Sequence, residues 1–248
     1  MADNTDKRTG DKIFIDGAYQ HNAYYNGKSA QRFWHYAKYE EARKELSVTD
    51  GEKVLDAGCG SGVLSYFLAK KTTTEVWGVD ANASAISFCR SEYHLENLHF
   101  EQVFIDDLIY PPGFFDKIVF LEVIEHLSAS QGVAVIRKFY ELLSPGGKLV
   151  ISTPNRRSLW PIIEFTLDKL RLVPNLKEGQ HELLYSGTQL KEMTEATGFI
   201  CHSKKTINFI APWLSVLSWK LALKMHRLEM NAGSTAGSIL LYSFKKPG

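Results

Sequence analysis

Apolar residues along the chain come in short blocks, each closed by an acid, a glycine or a proline. Lys53-Val54-Leu55-Asp56 begins with a charge, carries a Val-Leu pair and ends on an acid, which predicts a buried strand ending at Asp56. Val76-Trp77-Gly78-Val79 ends the same way at Asp80, and further strands are predicted over 99–104, 115–121 and 148–152. Between them the spacing turns helical: Val63, Leu64, Phe67 and Leu68 share one face, 83–93 reads as a helix, and another runs from near Ser128 to Leu143. Ser144-Pro145-Gly146-Gly147 is a strong breaker at its end. Strands alternating with helices at short spacing imply parallel strands joined by crossover helices.

The ends follow a different pattern. Residues 1–20 are polar and are expected to form a flexible tail. The stretch 21–48 holds Tyr24-Tyr25-Asn26-Gly27 and a helix running from Arg32 to Leu46, with rings at Phe33, Tyr36 and Tyr39 on one face. That face either packs on the sheet edge or closes over a ligand as a lid, with Tyr24, Tyr25, Arg32 and His35 as lid candidates. Two amphipathic insertions, 156–180 and 208–230, mix Trp and Leu with Lys and Arg. They suit a covering or crossover helix, a wall for a greasy acceptor, or peripheral contact with a membrane.

Composition narrows the class. With 248 residues and 44% apolar content the chain can bury the core of one large α/β domain. A net charge of +1 offers no electrostatic case for nucleic acid. Cys59, Cys89 and Cys201 have no metal-type spacing and suit a reducing compartment. The polar start gives no secretory leader, and no run of about 18 apolar residues spans a bilayer. A cytoplasmic location is expected, with membrane association as a second role.

The chemistry begins at Asp56-Ala57-Gly58-Cys59-Gly60-Ser61-Gly62, a glycine turn joining a strand to a helix N-terminus. Alone it is weak evidence, because dinucleotide folds place glycines similarly. Its Gly-x-Gly-x-Gly spacing with an acid two residues before resembles motif I of the class I S-adenosylmethionine (SAM) dependent methyltransferases. Asp80, about 20 residues later, stands where a carboxylate accepts both ribose hydroxyls. Leu-Ser-Pro-Gly-Gly-Lys-Leu is also usual wording in that family, and 199–207 and 238–244 read as its paired final strands. The resemblance covers about residues 50–206. It implies a Rossmann-like α/β fold with a seven-stranded, mostly parallel sheet, helices on both faces and an antiparallel last strand. The cofactor set it implies is Asp56, Gly58, Cys59, Gly60, Gly62, Asp80, Ala81, Ile105, Asp106 and Leu121. One departure concerns the third strand: many relatives end it in Gly-Asp-Ala, whose acid binds the adenine amino group, whereas Phe104 falls there here. Asp106 takes that contact while Ile105 packs on the ring, or Asp106 and Asp107 only solvate a loop.

Ligands of open α/β sheets gather at the carboxyl ends of strands. There the chain reads Leu121-Glu122-Val123-Ile124-Glu125-His126, which resembles the Glu-x-x-Glu-His segment of the ubiquinone-biosynthesis O-methyltransferases. If a helical turn begins at Glu122, then Glu122, Glu125 and His126 share one face and could hold a divalent metal such as magnesium. The alternative is that Glu125 and His126 only orient one another. Further on, an Asn-Arg loop, an apolar insertion and Gly179-Gln180-His181 continue the resemblance, without the Trp of the family's Gly-Thr-His-Trp. His181 is the candidate general base, or a residue that orients its loop, and Glu122 a second catalytic candidate. The expected activity is methyl transfer to a hydroxyl of a small or lipid-like molecule. Transfer to nitrogen and a non-catalytic, SAM-binding, membrane-associated interaction protein are the alternatives.

Overall fold

The computed structural model describes residues 16–71, 73–156, 158, 183–233 and 235–248. Seven strands make one sheet: β1 (Lys53–Ala57), β2 (Glu75–Asp80), β3 (Leu98–Gln102), β4 (Phe115–Leu121), β5 (Leu143–Pro154), β6 (Ile200–Ile207) and β7 (Ile239–Lys245), in the order β3-β2-β1-β4-β5-β7-β6. Neighbours from β3 to β5 pair in parallel, and β7 runs antiparallel to both β5 and β6. The Rossmann-like α/β sheet implied by the resemblance is therefore present. Its order reverses between β1 and β4, which opens a crevice at the carboxyl ends of those two strands.

Side-chain alternation along the strands builds a core on each face. Val54, Val119, Val150 and Leu241 meet Leu46, Leu64 and Leu68 on one side. Leu55, Ile118, Phe120, Leu149 and Ile151 meet Ile136 and Phe139 on the other. The covering helices are α1 (Tyr19–Tyr25), α2 (Ser29–Leu46), α3 (Val63–Lys71), α4 (Ala83–Glu92), α5 (Ala129–Leu142) and α6 (Gly187–Glu195). Local chemistry sets where they start. Asn82 Oδ1 accepts from the Ser84 and Ala85 N–H groups at 3.0 and 3.4 Å. Ser128 and Gln131 form a reciprocal capping box at the head of α5.

Some boundaries differ from the sequence expectation. β3 ends at Gln102, because Val103 N–H turns to the Asp80 carbonyl and Ile105–Asp107 curls into a 3-10 turn. β5 begins before the Pro-Gly-Gly breaker: Leu143 pairs with Phe115, the register slips, and pairing resumes at Lys148. The breaker ends α5 without ending the strand. α1 begins at Tyr19, inside the segment expected to be a tail. The segment 208–230 forms α7 (Ala211–Leu214) and most of α8 (Trp219–Asn231), the crossover between β6 and β7. These pack on α2 through Phe33, Ala37, Ala211, Ala222 and Trp219. The insertion 156–180 lies almost wholly outside the described residues. Among the described residues, no helix is long and apolar enough to cross a membrane.

Candidate functional site

The glycine loop is pinned from three sides. The Gly58 and Cys59 N–H groups both donate to the Val79 carbonyl at the end of β2, at 2.8 and 3.0 Å. Gly60 N–H donates to Asp80 Oδ2 at 2.9 Å, and Asn82 N–H donates to Asp80 Oδ1 at 2.8 Å. Asp80 thus ties the loop after β1 to the loop after β2 and keeps further lone pairs for a ligand. On the third side Ser61 N–H donates to Gln20 Oε1 of α1 at 2.8 Å. Two glycines are required by these approaches. At Gly58, φ is +74° and a Cβ would strike Val123 Cγ2; at Gly60, φ is +52° and a Cβ would strike the Gln20 amide. Gly62 serves packing instead, where a Cβ would meet Cys89 Sγ and Phe100.

A cavity of about 290 Å³ opens over this loop at the β1–β4 crevice. Of the expected cofactor residues, Asp56, Gly58, Cys59, Gly60, Asp80, Ala81, Ile105, Asp106 and Leu121 line it, together with Glu122 and His126. Gly62 does not. Asp56 is 3% exposed, and its Oδ2 accepts from Ser65 Oγ at 2.6 Å. Burial pushes its carboxyl up to about 6, against the pull of the Ser65 hydrogen bond. Burial also raises Asp80, while the Asn82 and Gly60 N–H groups work to lower it. The Cys59 thiol is raised far more strongly, first by burial and then by its contact with Cys89, so it remains a neutral thiol.

This cradle fits SAM. The glycine backbone leaves room where any side chain would fill it, Asp80 faces the cavity with acceptor oxygens, and Ile105 and Asp106 border it beyond β3. When bound, SAM supplies an electrophilic methyl group on a sulfonium.

The metal expectation is corrected. Among the described residues, no group of three or more His, Cys, Asp or Glu side chains is placed to hold a metal ion. The helical turn does not begin at Glu122, whose φ of +56° is left-handed; only Ile124–His126 form a 3-10 turn. The two carboxylates are held by different hydroxyls. Glu122 Oε1 accepts from Ser152 Oγ at 2.6 Å, and Glu125, 1% exposed, accepts from Thr153 Oγ1 at 3.1 Å. Burial raises both carboxyls, Glu125 further because Glu122 adds its charge. A left-handed non-glycine residue at a strand end in a cavity is the backbone strain found at functional sites.

The side chains named as lid candidates lie away from the cavity. Tyr24 packs on Tyr39 and Phe67, Arg32 donates to the Tyr24 carbonyl and lies over Trp219, and His35 is buried beside Trp34 and Tyr39. None of these, nor Tyr25, lines the cavity; the described N-terminal residues that do are Asp16, Gln20, Lys38 and Tyr39. Sequence reasoning missed Gln20 because it fell in the presumed tail. The signal for Lys38 was its place with Glu41 and Glu45 at i, i+3 and i+7, a polar stripe on a helix face that turns out to be buried. His181 lies outside the described residues.

Comparison with known proteins agrees with this geometry. A methyltransferase-domain family model matches residues 20–204. Phosphoethanolamine N-methyltransferase 1 of Arabidopsis thaliana is 33% identical over 129 residues, covering 51% of this chain and 26% of that protein. Ubiquinone biosynthesis O-methyltransferase of Acinetobacter baumannii is 28% identical over 163 residues, covering 58% of this chain and 66% of that protein. The chain thus spans less than two thirds of the length of these curated relatives. Among solved structures, the magnesium protoporphyrin IX methyltransferase of Synechocystis PCC 6803 with bound S-adenosylhomocysteine superposes with a TM-score of 0.64 at 15% identity, over 96% of this chain and 97% of that one. At that identity the match speaks for the fold alone. With the family model covering residues 20–204 and the glycine loop, Asp80 and strand order in place, the chain belongs to the class I SAM-dependent methyltransferases.

Proposed function

We propose that this protein moves a methyl group from SAM to a hydroxyl of a small-molecule or lipid-like acceptor. The observation that carries the reading is Asp80, tied to Gly60 N–H in a cavity that continues without a break to Glu122 and His126. In this reading Asp80 receives the ribose hydroxyls, Ile105 packs on the adenine, and Asp106 takes its amino group. Methyl transfer needs the acceptor in line with the S–CH3 bond, so positioning supplies much of the rate. A hydroxyl also gains from loss of its proton as the new bond forms, and His181 is the proposed base, with Glu122 bordering the acceptor.

A second reading, transfer to an amine, is favoured by the acids Asp16, Asp106, Asp107 and Glu122 around the cavity, which suit an ammonium-bearing molecule. A neutral amine needs no base, so His181→Ala would barely slow it. A SAM-binding interaction protein without turnover is the remaining alternative. Membrane contact is favoured by the solvent face of α8, where Lys220, Leu221, Lys224, Arg227 and Leu228 are all exposed.

The test is calorimetry with S-adenosylhomocysteine on the wild type and Asp80→Asn. Wild-type binding is expected, with a loss of about 10-fold or more in the variant, whose amide can no longer accept from both N–H groups. Folded wild-type protein that takes up NAD instead would overturn the reading. Release of S-adenosylhomocysteine over a panel of hydroxyl and amine acceptors then separates the first two readings, and its absence with every acceptor supports the third.

A further inference from the structure

Five exposed large apolar side chains, Ile210, Val216, Leu217, Leu221 and Leu228, fall together in the crossover between β6 and β7. The most exposed of these, Val216 at 65% and Leu217 at 78%, stand in the link between α7 and α8. The link is a hydrogen-bonded turn. Val216 N–H donates to the Trp213 carbonyl at 3.2 Å, and the Leu217 and Ser218 N–H groups donate to the Leu214 carbonyl at 3.1 and 2.9 Å. Ser215 Oγ donates to the Pro212 carbonyl at 2.6 Å, and Ser218 Oγ accepts from Leu221 N–H at 3.3 Å. A tip whose donors are satisfied internally can enter an apolar phase without the cost of bare N–H groups.

Charge completes the surface. Lys220, Leu221, Lys224, Arg227 and Leu228 share one face of α8 and are all exposed, whereas Ala222, His226 and Glu229 are buried. Glu229 is the one acid between Asn208 and Gly233, and it is drawn inward. Its Oε1 accepts from the Ile210 and Ala211 N–H groups at 2.7 and 3.0 Å. The exposed face therefore sets three cations among aliphatic side chains, with no carboxylate of its own. A twofold contact with a second copy would place cations against cations. An anionic lipid surface complements the same face. The hairpin is also firmly seated: Ala211 and Ala222 pack with Phe33 and Ala37 of α2, the helix that lines the cavity at Lys38 and Tyr39.

We propose that the α7–α8 hairpin docks the protein on an anionic bilayer, with Val216 and Leu217 inserted at the acyl boundary and Lys220, Lys224 and Arg227 among the headgroups. The inference deepens the membrane contact raised for α8: the inserted element is the tip, and the cations select the lipid. It is independent of methyl transfer, so uptake of S-adenosylhomocysteine, which tests the methyltransferase reading, can succeed or fail without deciding it.

The experiment measures partitioning of the full chain onto vesicles of mixed phosphatidylglycerol and phosphatidylcholine. Wild type is compared with Val216→Asp/Leu217→Asp, with Lys220→Gln/Lys224→Gln/Arg227→Gln and with Leu217→Trp. All these positions are exposed, and circular dichroism with thermal melts confirms the fold of each variant. The tip variant should partition about 10-fold or more weakly than wild type, since two carboxylates replace the inserted side chains. The charge variant should lose on the order of 100-fold at low salt. In Leu217→Trp, the added fluorescence should shift to the blue on vesicle addition and be quenched by brominated acyl chains. Equal partitioning of wild type and the tip variant overturns the proposal, as does Leu217→Trp fluorescence that vesicles leave unmoved. Concentration-dependent dimerisation that the tip variant abolishes, without vesicle uptake by wild type, assigns the face to a second copy and overturns it as well.

Discussion

Gln20 and Ser61 hold one another reciprocally: Gln20 Oε1 accepts from both Ser61 N–H and Ser61 Oγ, at 2.8 and 2.7 Å, while Gln20 N–H donates to Ser61 Oγ at 2.9 Å. The clamp seats α1 directly on the glycine loop, so the N-terminal helix is part of the cavity wall. Gln20→Ala should weaken S-adenosylhomocysteine by about 10-fold, as loss of side-chain hydrogen bonds worth ~1 kcal/mol each implies, with only a small fall in melting temperature. Calorimetry beside thermal melts checks this. An unchanged affinity would mean that α1 merely rests on the loop.

Gly58 is expected to tolerate no side chain. Gly58→Ala places a Cβ against Val123 in a left-handed backbone, at a cost of roughly 2–4 kcal/mol from strain and overlap together. Val123→Ala should return the steric part in the double variant, leaving only the backbone part. Urea denaturation of the two single variants and the double variant measures the coupling, and strict additivity would contradict the contact.

Asp56 should make the fold sensitive to pH. Its folded carboxyl lies at about 6 against an ordinary value of 3.8, so the folded chain binds the proton more tightly than the unfolded chain. The sign follows from linkage: stability from this group is greatest below about pH 4 and declines as pH rises through 6, by on the order of 3 kcal/mol. Asp56→Asn removes that slope. Between pH 4 and 7 the variant should gain stability relative to the wild type in urea titrations; parallel curves would show that Asp56 is not held up.

The solvent face of α8 should bind anionic vesicles if it serves a lipid interface. Three exposed cations, each worth ~1 kcal/mol at such a surface, flank Leu221 and Leu228. Sedimentation with phosphatidylglycerol vesicles at low salt is expected, none with neutral phosphatidylcholine, and loss in Leu221→Glu/Lys224→Glu. Equal recovery in the pellet with both lipids would point to simple stickiness.

Much of the sheet was legible in the sequence because its information is local. Val54-Leu55-Asp56 and Val76 to Asp80 announce buried strands ending on acids, and the glycines after Asp56 mark a strand-to-helix turn. Ser128 with Gln131 marks a helix start within four residues. The acid-glycine spacing likewise located the loop, since its backbone angles are demanded by adjacent residues.

Tertiary structure decided everything that depends on distant segments meeting. Glu122, Glu125 and His126 looked like one helical face, but Glu122 adopts a left-handed angle, and Ser152 and Thr153 of the neighbouring strand each hold one of the carboxylates. Gln20 and Lys38 belong to the cavity because helices far upstream in sequence fold over the carboxyl ends of β1 and β4. Periodicity reports which face of a segment is inward; it carries no record of which remote side chain waits there, because that contact is set by packing across the whole sheet.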